Sequence, residues 1–195
     1  MPTSSDHRYD GPEATARAFL SALDAGDWQG TAALVHPQTA ERFRDWFVQQ
    51  LSRDGERVEP RGFIVDTVFP DPCDLVGVRD ASEVVALTST ELLARFAAAV
   101  DPRAIQRVLR ASAPDAGSPE HVEPRVVRTF LACSRQGGDL ARAEYRTDWY
   151  FAGRHNQTVG GTHAIEFGLS AGAWRVLDAD LSGNGTGHIP PPPQG

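Results

Sequence analysis

The sequence predicts an α+β fold, a curved antiparallel sheet of about five strands wrapped around N-terminal helices. Three observations carry that reading. Apolar residues recur at helical spacing through the first fifty positions. β-branched and aromatic residues then cluster in Phe63–Phe69. Four strand-like stretches separated by short glycine turns fill the last third.

In the opening segment Pro12 suits a first helical turn and Glu13 complements its positive end. Ala16, Phe19, Leu20 and Leu23 form a helical stripe that Gly26 ends. Asp27 is a good N-cap for a short second helix through Trp28, Ala32 and Val35, which stops at His36-Pro37. Phe43, Trp46, Phe47 and Leu51 share one face of a third helix. A strand is expected over Phe63–Phe69, closed by Pro70-Asp71-Pro72, and Leu75–Val78 fits either a strand or a turn. Asp80 with Glu83 and Thr88 with Glu91 have capping-box spacing, and Asp101-Pro102 starts a further helix. Ala113–Pro119 reads as a loop.

Gln136–Asp139, Gly153–Asn156 and Ala171-Gly172 separate the strands expected at Arg125–Ser134, Leu140–Ala152, Thr158–Leu169 and Trp174–Leu181. Such short turns demand antiparallel pairing. Residues 1–182 form a single domain on this reading, with a helical insertion at about 71–119 and a disordered glycine- and proline-rich tail over 183–195.

Composition excludes several chemistries. The formal net charge is -7, which opposes a phosphate backbone, so no nucleic-acid partner is expected. All nineteen basic residues are arginine, as a GC-rich bacterial genome would encode. Without lysine there is no Schiff base and no P-loop lysine. No apolar run reaches membrane-spanning length, and Met1–Asp10 lacks a signal-like apolar stretch, so a cytoplasmic protein with no membrane partner is expected. Cys73 and Cys133 read as reduced, partly buried thiols. Six histidines show no paired metal spacing, and no metal or other cofactor is expected.

Ala16–Trp28, with its helix-glycine-aspartate-helix opening, and Gly172–Asp178, with tryptophan just after a turn, resemble the two ends of the nuclear-transport-factor-two-like (cystatin-like cone) superfamily. The resemblance covers about half the chain and implies a cone-shaped cavity. That superfamily includes ketosteroid isomerases, polyketide cyclases, scytalone dehydratases and limonene epoxide hydrolases, and many members without known chemistry. No subfamily's catalytic set matches this sequence.

Strand alternation selects the candidate site. Arg142, Glu144, Arg146 and Asp148 share a charged outer face, the surface a homodimer would use. Ala141, Ala143, Tyr145, Thr147, Trp149 and Phe151 share the inner one. His163 falls on the apolar face of the next strand and reads as a proton carrier or, on the blander account, a core histidine bonded to a carbonyl or to Tyr145. Asp66 is the candidate carboxylate, with inward and outward orientations equally compatible. Tyr145, Thr147, Trp149, Phe167 and Phe63 are expected to line the ligand space. Arg128 suits an acidic ligand or an ion pair with Glu144, Asp178 and Asp180 are placed at a fraying strand end, and Gly160-Gly161 suggests a bulge or bend. The expected function is binding of a hydrophobic small molecule. The alternatives are a cofactor-free isomerase, cyclase or dehydratase using His163, and a protein-interaction scaffold.

Overall fold

The computed structural model describes residues 11–51, 71–112, 125–150, 158–181 and 189. Helix α1 (Pro12–Ala25) begins with its proline and ends at Gly26, whose φ of 68° is the left-handed cap that glycine adopts most readily. α2 (Trp28–Ala33) is capped by Asp27, whose carboxylate accepts from the Gly30 amide at 2.9 Å. α3 (Pro37–Leu51) follows, buried along Thr39, Ala40, Phe43 and Phe47.

The expected strand at Phe63–Phe69 lies outside the described residues, and the ambiguous Leu75–Val78 piece resolves into a short helix and turn. α4 (Pro72–Leu75) precedes α5 (Ala81–Ala86), α6 (Ser89–Val100) and α7 (Pro102–Ser112). Asp80 accepts from the Ser82 and Glu83 amides. At α6 the capping box is complete, with Thr88 and Glu91 bonding each other's backbone amides.

α6 is a core helix despite lying in the stretch expected as an insertion. Leu92, Leu93, Ala94, Phe96, Ala97 and Val100 are all buried. It packs on α2 and α3, and the Phe96 ring lies 4.8 Å from that of Phe43 and 6.5 Å from that of Phe47.

The described strands form one four-stranded antiparallel sheet, ordered β1 (Arg125–Gly137), β2 (Leu140–Tyr150), β3 (Thr158–Ser170) and β4 (Ala173–Ala179). α1 covers β1, β2 and β4, while α2, α3 and α6 form the rest of the helical layer. The α2–α3 junction closes the β4 edge. His36 donates to the Val176 carbonyl at 2.8 Å, and Val176 donates back to Leu34 at 2.9 Å.

Three irregularities shift the strand phase that simple alternation assumes, one of them between Arg135 and Gly137 at the end of β1. Leu131 is the extra residue between Phe130, opposite Tyr145, and Ala132, opposite Glu144. Leu177 is the extra residue between Val176, opposite Phe167, and Asp178, opposite Glu166. Asp178 therefore pairs on the outer side, away from the buried Val176 with which alternation had grouped it. Asp180 is buried, at 4% exposure, and does not fray into solvent. Gly160 and Gly161, by contrast, pair regularly with Asp148 and Thr147, so the expected bulge there is absent. A Cβ on Gly160 would meet the Asp148 carboxylate at 2.5 Å, and this crowding is the observed reason for glycine at that position.

The outer face carries the expected charges, with Arg142 3.5 Å from Glu166 and Arg146 2.8 Å from Asp148. Such exposed pairs contribute little stability. Both thiols are free, Cys73 buried and Cys133 half-buried. Of the segment expected as a disordered tail, Ile189 is described, fully buried, and donates to the Ala179 carbonyl at 3.0 Å.

Since Phe96 joins α3 to α6 inside the core, Phe96→Ala should cost about 3–5 kcal/mol in urea denaturation. A loss under about 1 kcal/mol would mean that α6 does not belong to the core.

Candidate functional site

The inner face of the sheet is built in rows across β1, β2 and β3. Phe130, Tyr145 and His163 stand in one row. Arg128, Thr147 and Gly161 form the next, followed by Val126, Trp149 and Val159. Cross-strand partners in an antiparallel sheet project to the same side, so these rows bring Arg128, Thr147, Tyr145 and His163 together.

Arg128 is the centre of this cluster. Its side chain is 1% exposed, and its Nη1 donates to Oδ1 of Asp24 at 2.7 Å. Asp24 stands in the last turn of α1, where the helix dipole disfavours a carboxylate. The cation of Arg128 offsets that penalty. Arg103 reinforces the same helix end, donating to the carbonyls of Leu23 and Asp24, both at 3.4 Å. The anticipated pair with Glu144 does not form, because Glu144 lies opposite Ala132 and projects to the outer face, whereas Arg128 lies opposite the inward Thr147.

The rest of the guanidinium is unsatisfied. Among the described residues, Nε and Nη2 of Arg128 have no hydrogen-bond partner although both are buried. The same holds for Thr147 Oγ1 and His163 Nε2. Thr147 is fully buried. Native interiors leave few such atoms, and each one costs on the order of 1–3 kcal/mol. Four of them lie on neighbouring rows.

Tyr145 is fully buried and has spent its proton. Its Oη donates to the Asp180 carbonyl at 3.1 Å. Burial above all, with the Asp180 charge adding to it, pushes the phenol well above its ordinary 10.0, and the Arg128 cation only partly offsets this. Tyr145 is therefore a neutral donor fixed on the backbone. His163 stacks beside it with ring centroids 5.3 Å apart. Its Nδ1 is 3.8 Å from Oδ2 of Asp180, an ion-pair distance that is too long for a hydrogen bond. Neither bland partner predicted for this histidine, a carbonyl or the tyrosine hydroxyl, holds Nε2 among the described residues.

Gly161 leaves room at this point. A Cβ there would come within 3.3 Å of His163 Nε2, so the missing side chain keeps space open beside the imidazole. Trp149, half-buried, occupies the adjoining row. Phe167 does not join the cluster. It is fully buried against Ala141 and Val176, four positions along β3 from His163, or about 13 Å. Asp66 and Phe63 lie outside the described residues. Sequence reasoning missed Asp24 and set Asp180 aside as a fraying strand end. Arg128 standing between Val126 and Phe130 was the available signal for the first, since a cation on an apolar face needs a counter-charge.

A depression lined by Glu41, Arg44, Asp45 and Val85–Ser89 opens on the surface between α3 and the α5–α6 turn. Arg44 there donates to the carbonyls of Val85, at 2.7 Å, and Leu87, at 3.2 Å, so it ties two elements together. Among the described residues no three potential metal ligands cluster, and no helix is long and apolar enough to cross a membrane.

No protein-family model, curated protein or solved structure matches this chain.

The two ends of the Asp24–Arg128 pair should respond unequally. Asp24→Ala strands a buried cation and should cost about 3 kcal/mol, whereas Arg128→Met leaves Asp24, 39% exposed, free to hydrate and should change stability by about 1 kcal/mol or less. Equal losses in chemical denaturation would contradict this burial asymmetry. A phenol whose folded pKa lies above its unfolded value stabilises the fold at neutral pH, and this contribution fades as pH rises through and above 10.0. Tyr145→Phe should remove that alkaline component from the stability profile; an unchanged profile above pH 10.0 would place the titration elsewhere.

Proposed function

We propose that this protein binds a hydrophobic small molecule against the inner face of its sheet, over Arg128, Thr147 and His163, in a cone-shaped fold of the nuclear-transport-factor-two-like kind. One observation carries the reading: four buried polar atoms without partners among the described residues lie on adjoining rows. Apolar neighbours supply the body of the site, and a few placed polar groups supply orientation, the usual make-up of ligand sites. The four-stranded sheet with α1 against it is compatible with such a cone.

A second reading is favoured by the His163–Asp180 geometry. The Asp180 carboxylate lies 3.8 Å from Nδ1, and Nε2, without a partner among the described residues, adjoins the space that Gly161 keeps open. An imidazole nitrogen beside open space supports an isomerase, cyclase or dehydratase with His163 as proton carrier and no cofactor. Binding is the prior claim, because proton transfer requires a bound substrate.

Titration with N-phenyl-1-naphthylamine, a neutral fluorophore that brightens in apolar surroundings, tests the site. Saturable enhancement is expected for the native protein, weakened at least tenfold by Gly161→Leu, which fills the space beside His163. Non-saturable enhancement in the native protein, or equal affinity in the variant, would remove the inner face as the site.

A further inference from the structure

Which donors Arg128 leaves free depends on guanidinium geometry. Nη1, the terminal nitrogen cis to Cδ, is taken by Asp24 at 2.7 Å. The remaining pair, Nε and Nη2, lies along one edge of the planar group, where the two N–H bonds run parallel. Both atoms are buried and unpartnered among the described residues. Parallel donors at this spacing match the two oxygens of a carboxylate, and such a bidentate contact satisfies both at once. Thr147 stands directly opposite Arg128 in the pairing register, with its hydroxyl buried and unpartnered, and supplies a third polar contact in the same row.

Charge narrows the class of occupant. Arg128 is matched one-to-one by Asp24, and Asp180 lies on the His163 side of the site. A single added negative charge meets a donor edge. A second one would face two carboxylates in a poorly screened interior. Val126 and Trp149 in the adjoining row offer apolar contact to whatever the anionic group is attached to.

We propose that the ligand is an organic monocarboxylate with an apolar body, its carboxylate held side-on by Nε–H and Nη2–H of Arg128 with Thr147 beside it. This rests on the inner-face site above and specifies its chemistry. Arg128 serves as the anchor, and Asp24 is a positioning residue that fixes the guanidinium so that its free edge faces the site.

Competition against bound N-phenyl-1-naphthylamine separates the two levels. With the native protein, benzoate should displace the fluorophore at concentrations at least tenfold below those needed for benzamide, its neutral isostere. Inorganic phosphate should displace it no better than benzamide. Direct calorimetric titration with benzoate should show at least tenfold weaker binding to Arg128→Met and to Arg128→Lys, which keeps the charge but not the fork. Saturable fluorophore binding with equal potency of benzoate and benzamide would overturn the carboxylate assignment and leave the site standing. Phosphate competing as well as benzoate would overturn the monocarboxylate class, as would full benzoate affinity in Arg128→Lys. Failure of the fluorophore itself to bind saturably would remove both claims. Should Arg128→Met fail to fold, the native comparison and Arg128→Lys decide the matter.

Discussion

A buried arginine with only one end of its guanidinium satisfied is the constraint around which the inner face is organised. Removing Arg128 from water is costly, and its Asp24 partner compensates through a single short contact. That contact joins the C-terminal turn of α1 to β1, across 104 residues of sequence. It also fixes which edge of the guanidinium stays open. The same end of α1 is held by Arg103 from α7, so the position of Asp24 is determined from two directions.

The neighbouring groups follow from the same economy of buried polarity. Tyr145 donates a hydrogen bond to the Asp180 carbonyl, which anchors the chain just beyond β4 over the inner face. That anchoring brings the Asp180 carboxylate to the Nδ1 side of His163. Thr147 and His163 Nε2 remain without partners among the described residues. A purely structural core would have placed valine or leucine at these positions at lower cost. Retaining them is understandable if something else completes their hydrogen bonds.

The helical layer provides the rigidity this arrangement needs. α6 is buried along its whole apolar stripe, and its Phe96 locks into the aromatic group on α3. The α2–α3 junction adds a backbone bridge to β4, so helices and sheet share hydrogen bonds as well as apolar contacts.

Local signals sufficed for most of the elements. Proline, aspartate and threonine caps marked α1, α2, α5 and α6, and glycine turns marked the β1–β4 hairpins, because capping and turn chemistry act over a few residues. Two-residue alternation also placed Tyr145, Thr147, Trp149 and His163 on one side, as the register shows. It failed past Leu177, where one extra residue puts Asp178 on the outer side, and it carried no register, so Glu144 was offered to Arg128 although they project to opposite faces. Position near a strand end likewise suggested fraying at Asp180, which is buried. Nothing near residue 24 announces that it will meet residue 128. Sequence by itself determined which side chains share a face; only the tertiary structure decided that α1 brings Asp24 to one end of Arg128 and leaves the other open, because hydrogen-bond satisfaction is a property of positions in space.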